Sequence, residues 1–385
     1  MASRAERSRV ADWWFTVDKL LIAAFVVLII GGIVLSLAAS PAVAERIGID
    51  DTFHFVKRQA IFAVPAIAMM IGLSFLDPRQ VRRLALVVFV VALVLLVATL
   101  FVGAEVKGSR RAIYIAGQSV QASEYMKPAF AVLVAFLLAE GKRSPDIPGQ
   151  LISALLFAII AALLIAEPDF GQTMLTAIVW ASLVFMAGMS WFWIFLIGGI
   201  GVGGVGLAYM FVPHVTSRID RFLNPESGDT FQVDTAIGSF VRGGWFGAGP
   251  GEGTMKRVLP DSHTDFIFAV AAEEYGIVLC IAFVCVFAFI VLRGLKHAFI
   301  ERDMFVRLAV AGLTVQFGIQ ASINLAVNLH LMPAKGMTLP FISYGGSSMM
   351  AMALTVGLLL ALTRKRPQMT RYAPPIESYA LAAHG

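Results

Sequence analysis

Residues 259–276 read "LPDSHTDFIFAVAAEEYG", which sets Asp261, His263 and Asp265 directly in front of an apolar run and Glu273 and Glu274 inside it. A carboxylate so placed can take a proton from an attacking hydroxyl, hold a hard cation, or simply cap the helix that follows. On a helix Glu273 would lie about 80° around and about 12 Å along from Asp265, with Glu274 roughly opposite. Ionisable groups within an apolar span are functional hypotheses by default. Either glutamate could equally answer a basic side chain on a neighbouring helix.

Three more polar stretches accompany this one. "VKGSRRAIYIAGQSVQASEYMKP" (106–128) runs through Arg110 and Arg111 into Glu124 and Lys127, and its plain reading is an amphipathic segment at a membrane interface. "EPDFGQ" (167–172) holds two carboxylates around a proline; they could be ligands, but spacing favours an N-cap for the next helix. "MPAKGMTLPFISYGGSS" (332–348) is too rich in proline and glycine for a continuous helix. Its apolar Leu339–Ile342 core argues for burial, with Lys335 and Ser343 facing a protected polar site.

The elements that must position these residues are helices in a membrane. Hydrophobic residues make up 58% of the 385-residue chain and charged ones 14%, whereas soluble domains run at about 45–50% and about 25%. Ten apolar runs are long enough to span a bilayer: 20–39, 60–76, 84–102, 123–139, 151–166, 173–189, 191–212, 266–292, 305–331 and 347–363. The fold expected is all-α and polytopic, one domain over 1–385, with a large outer loop at 213–265 between the seventh and eighth spans. Lys and Arg clusters before the first span and after the second, fourth, eighth and tenth fall on one side, which places 1–19 and 364–385 in the cytoplasm. The +5 net charge is explained by that anchoring, and no nucleic acid need be invoked.

Arg110, Arg111, Arg221 and Lys256 break the pattern, since they fall on the outer side. The loop that holds the last two contains the glycine-dense "RGGWFGAGPGEGTMKR", which is neither a dinucleotide fingerprint nor a P-loop. It could cradle a phosphate with backbone amides or be a flexible connection. The only cysteines, Cys280 and Cys285, lie within one span and read as packing residues. The N-terminus imitates a signal peptide, but its apolar run is too long and further spans follow, so it reads as an uncleaved span.

In this order and at these positions, "EPDFG", "RFLNP", "LPDSHTDFIFAVAAEEYG" and "KGMTLPFISYGGSS" resemble the SEDS family (shape, elongation, division and sporulation) of bacterial cell-wall polymerases, over essentially the whole chain. "LPFISYGGSS" followed by "LLLALTRKRP" looks more like the division-type members than the elongation-type ones. The resemblance implies a ten-helix peptidoglycan glycosyltransferase that polymerises lipid II and releases undecaprenyl diphosphate. It places the essential carboxylate at Asp265, as general base or as ligand of a divalent cation, Mg²⁺ or Mn²⁺. Arg110, Arg111, Arg221, Lys256 and Lys335 become candidates for the diphosphate, with Glu124, Lys127, His263 and Ser343 lining the substrate cavity. Glu273 and Glu274 are expected to be structural or cavity-lining. The implied partners are a class B penicillin-binding transpeptidase and other divisome membrane proteins.

Ala112 stands where relatives commonly carry tryptophan, Ala122 where they carry proline, and His330 where a glycine is usual. The rival functions are a lipid II flippase and a scaffold that recruits the transpeptidase. Polymerisation is favoured because polar residues crowd the outer side, with no comparable set on the other.

Overall fold

The computed structural model describes residues 8–106, 109–115, 117–223, 231–333 and 336–365. The described residues are mainly helical: α1 (Arg9–Thr16), α2 (Lys19–Ile47), α3 (His54–Ser74), α4 (Pro78–Val102), α5 (Ala122–Arg143), α6 (Gly149–Ala166), α7 (Phe170–Met186), α8 (Trp191–Phe211), α9 (Pro213–Leu223), α10 (Phe231–Gly243), α11 (Met255–Val258), α12 (Ile267–Ile300), α13 (Met304–Asn328) and α14 (Gly346–Leu362). Each of the ten apolar runs lies on one of these helices. Among the described residues seven are long and apolar enough to cross a membrane, and α7 and α14 are shorter apolar helices.

Burial divides them. α5, α13 and α14 form the centre, and α14 is buried without interruption from Ala351 to Thr363. α3, α4, α6 and the second half of α12 turn Val, Leu, Ile and Phe outward, the pattern expected of helices solvated by lipid. Close approach at the centre relies on small residues: Gly357 of α14 lies against Leu73 and Met70 of α3.

Three expectations are corrected. First, the stretch after α4, read only as an amphipathic segment, is an antiparallel sheet, β1 (Ala104–Val106), β2 (Ser109–Ile115) and β3 (Gln118–Val120), in that order. Ile113, Tyr114, Ile115 and Val120 favour extended backbone, and Gly117 at φ +75° makes the last turn. Second, the 213–265 segment is not an irregular loop. It contains α9, α10 and α11, and α10 packs along α12.

Third, the eighth span is broken. Gly276 sits inside α12 at φ 81°, ψ 177°, a conformation open only to glycine. The glycine-rich segment threads into that break: the amides of Ala248 and Gly249 donate to the carbonyls of Glu273 and Glu274 at 2.8 and 3.1 Å. The amides of Ile277 and Val278 donate back to Gly244 and Trp245 at 2.9 and 3.2 Å. The glycines therefore serve a docked backbone rather than a flexible one.

Both ends of the described chain meet on one face. The Lys365 amide donates to the Thr16 carbonyl at 3.0 Å, and the Arg364 guanidinium reaches the Thr16 hydroxyl and the Phe75 carbonyl. Beside them Asp18, the N-cap of α2, accepts from Arg293 at 2.7 Å and pairs with His297 at 2.6 Å. Burial raises that carboxyl's pKa, yet the hydrogen bonds from His297, Arg293 and Leu21 outweigh it and hold the group well below the usual carboxylate range.

Candidate active site

Asp265 is the last residue but one before α12, on the face opposite the chain ends, and it is half-buried. Its carbonyl accepts from both Asn324 and Asn328 of α13, each at 2.9 Å, while Asn328 also accepts from the Ala269 amide at 3.2 Å. The approach to α12 is a tight turn, in which the amides of Thr264 and Phe266 both donate to Asp261.

The buried segment before α14 closes the other side. The Ser343 hydroxyl donates to the Thr264 carbonyl at 2.6 Å and accepts from the Leu339 amide at 2.8 Å; the Tyr344 amide donates to the His263 carbonyl at 2.9 Å. The His263 ring packs between Phe55 and Tyr344, with centroids 4.6 and 5.4 Å away. Leu339, Phe341 and Ile342 are buried, as their composition requires of non-helical backbone beside apolar spans. Gly336 brings its backbone close to Asp265, so that an added Cβ would lie 3.6 Å from the carboxylate.

Glu124 and Lys127 form a second, buried cluster, ion-paired at 3.0 Å. Lys127 also donates to Gln320 of α13 at 2.9 Å, and Gln172 of α7 donates to Glu124 at 2.6 Å. Gln320 and Asn324 then reach the carbonyls of Thr338 and Met337 at 3.4 and 2.6 Å. The two clusters are thus joined by one ridge, Gln316, Gln320, Asn324 and Asn328, all buried on α13. Sequence reading missed this ridge. Its signal was there, four amides at strict four-residue spacing inside an apolar span.

Arg111 donates to the Pro168 carbonyl at 2.9 Å, which brings the sheet to the turn between α6 and α7. In that turn Asp169 caps α7 through the Gln172 amide at 3.3 Å, the role its spacing favoured, and also accepts from Gln121 at 3.4 Å. Glu167 is buried beside it. Burial, helped by Asp169 and opposed by Arg111, pushes its carboxyl up to about 8, and burial raises Asp169 as well. Arg58, a cation that sequence reading did not single out, reaches Gln118 of β3 at 3.0 Å.

Other expected residues fare differently. Lys256 is not an exposed cation awaiting a phosphate: it is 4% exposed, ion-paired with Glu274, and donates to the Ala38 carbonyl at 3.0 Å. Glu273 accepts from the amides of Thr254, Met255 and Lys256 at 2.6, 2.8 and 3.1 Å, with Arg242 at 3.7 Å. Both glutamates therefore anchor the glycine-rich segment. The side chains of Arg110 and Arg221, and all of Lys335, lie outside the described residues. Among the described residues no group of three or more His, Cys, Asp and Glu side chains could hold a metal. His330, in the glycine position, adopts φ 54° and meets Phe222 of α9 edge to face at 5.2 Å. That left-handed backbone is why a glycine is usual there.

These features define a polytopic membrane protein with a half-buried carboxylate held at one end of a broken helix. The family model described as "cell cycle protein", grouping FtsW, RodA and SpoVE, matches residues 18–368. The chain belongs to this family, the SEDS family. It is 47% identical over 365 residues to a probable peptidoglycan glycosyltransferase FtsW of Caulobacter vibrioides, covering 95% of this chain and 94% of that one. The FtsW of Trichlorobacter lovleyi is 35% identical over 360 residues, covering 90% and 93%. Among solved structures, a chain of a peptidoglycan synthase complex that coordinates polymerization and crosslinking matches with TM-score 0.76 and 25% identity, over 91% of this chain and 98% of that one. The rod shape determining protein RodA of Thermus thermophilus matches with TM-score 0.68 and 26% identity, over 92% and 99%.

Proposed function

We propose that the chain is a division-type peptidoglycan glycosyltransferase of the inner membrane. It polymerises lipid II at the septum, with both termini cytoplasmic and Asp265 at the outer surface. The observation that carries the reading is the grip on Asp265: two asparagines on its carbonyl and Ser343 on the neighbouring one. Such a grip fixes the backbone that carries the side chain at the mouth of the site.

Asp265 takes the proton of the acceptor sugar's 4-hydroxyl as that oxygen bonds to C1 of the donor. The bond from C1 to the diphosphate breaks, and undecaprenyl diphosphate departs. Arg111 answers the charge that develops on the leaving group; the side chains of Arg110, Arg221 and Lys335, expected from the sequence to share that task, lie outside the described residues. The Lys127–Glu124 pair holds α5 against α13 and so supports the site from beneath. For a divalent cation the donors fit only a sparse mode, in which Asp265 is one oxygen ligand and substrate phosphates supply most of the rest. A cation held so would supply charge neutralisation at the diphosphate.

The active unit is a pair with a class B penicillin-binding transpeptidase, joined by other divisome membrane proteins. Polymerisation of purified lipid II by the chain with that partner tests the reading, with Asp265→Asn beside wild type and with Mg²⁺, Mn²⁺ and EDTA arms. Polymer from wild type and at least about 100-fold less from the variant, at equal folding and partner binding, is expected. Equal polymer from both would move the chemistry away from Asp265. Loss of activity in EDTA, restored by either ion, would place a cation in the reaction.

A further inference from the structure

A large cavity lies on the other face. About 1500 Å³ in volume, it opens between the ends of α4, α5, α12, α13 and α14. Nine Lys and Arg residues line it against four carboxylates. Sequence reading found no polar set on this side to rival the outer one, because its cations come from five separate chain segments, each ordinary by itself. The cytoplasmic charge bias accounts for cations near helix ends. It does not require them to converge on one recess.

Some are already engaged: Arg293 with Asp18, Arg364 with Thr16 and Phe75, and Arg82 over the Phe136 ring at 4.4 Å. The side chains of Arg79, Lys142, Arg143, Lys296 and Arg302 make no ion pair or hydrogen bond among the described residues. Nine cations against four carboxylates leave the recess with an excess of positive charge, which an anion would relieve. The cavity is also amphipathic. Phe136 and Phe305 pack edge to face at 6.1 Å in its wall. At its rim Phe299 and Ile300 are 76% and 69% exposed, so apolar surface continues from the cations onto the lipid-facing side of α12. The C-terminal residues 366–385 carry Arg366 and Arg371 against Glu377 alone, and so do not complement it.

We propose that this cavity is a binding site for an anionic phospholipid of the inner leaflet, its phosphate among Lys142, Arg143, Arg302, Arg79 and Lys296 and its acyl chains along Ile300 and Phe299. Basic pockets between membrane helices on the cytoplasmic side bind such headgroups. A soluble phosphate would use the cations but leave the apolar rim uncovered.

The test is lipid retention by the full-length chain, read by native mass spectrometry after reconstitution in phosphatidylcholine bilayers doped with phosphatidylglycerol, cardiolipin or lipid II. Wild type is expected to retain phosphatidylglycerol or cardiolipin over phosphatidylcholine. The variant Lys142→Gln/Arg143→Gln/Arg302→Gln is expected to bind them more weakly by about fivefold per cation removed. A control triple outside the cavity, Arg9→Gln/Arg83→Gln/Arg307→Gln, should retain them like wild type. Equal retention of charged and neutral lipids by wild type would overturn the proposal even if the variants failed to fold. So would equal loss in the control triple, preference for lipid II over both phospholipids at this cavity, or displacement of bound lipid by millimolar pyrophosphate.

Discussion

Two asparagines one helical turn apart take hold of a single carbonyl, that of Asp265, and so use both of its lone pairs. Replacing either by alanine leaves one bond and a looser carboxylate. Asn324→Ala and Asn328→Ala should each lower kcat for polymerisation about tenfold with KM for lipid II nearly unchanged, measured at equal thermal stability. At the second cluster, Glu124→Gln strands the Lys127 ammonium in a buried site, which costs about 3–5 kcal/mol. The double variant Glu124→Gln/Lys127→Met should recover much of that in detergent-solubilised thermal melts. Glu167 supplies a pH effect whose sign is fixed. Its folded pKa, about 8, lies above the unfolded 4.5, so its proton stabilises the fold fully below 4.5 and that stabilisation is lost as pH rises through 8. Glu167→Gln should flatten the decline in melting temperature between pH 5 and 8 by a few degrees; an unchanged slope would remove Glu167 as its source.

Among the elements, the broken α12 is the most exacting. Gly276 must adopt a backbone that L-residues avoid, and its Cα faces the Trp245 carbonyl of the docked segment. Gly276→Ala should cost about 3 kcal/mol or more, and Gly247→Ala, which meets the Glu274 carbonyl from the other side, a similar amount. Limited proteolysis within 244–258 would reveal either by faster cleavage. The apolar runs could be read directly because lipid imposes a length on each helix. This break could not, since Gly276 is one glycine among 34 and only its partner strand shows why it must be there. The same holds for Lys256: its position beside Arg257 suggested an outer cation, whereas its burial depends on a glutamate 18 residues away and on a carbonyl of α2. Asp265, Ser343 and the capping Asp169 were legible because each sits at a helix end or a proline–glycine turn. The sheet was not, because its strands are short, two of them only three residues long.

Across the whole molecule, charge is handled differently at the two ends. At the Asp265 end the buried ions are paired, Lys127 with Glu124 and Lys256 with Glu274, whereas the opposite recess holds more cations than carboxylates. The burial of α14 bears on how the protein comes into being. α14, enclosed by α3, α5 and α13, leaves the ribosome after every other described helix. Until it arrives, the helices made before it have no centre, and the Leu73 and Met70 surface that receives Gly357 faces whatever else is at hand. A chain ended after Gly345 should therefore not persist as a weakened enzyme. Pulse-chase labelling is expected to show it cleared within minutes, while co-expression of α14 as a separate peptide should slow its degradation. Quality control of this protein thus turns on whether α14 finds its slot.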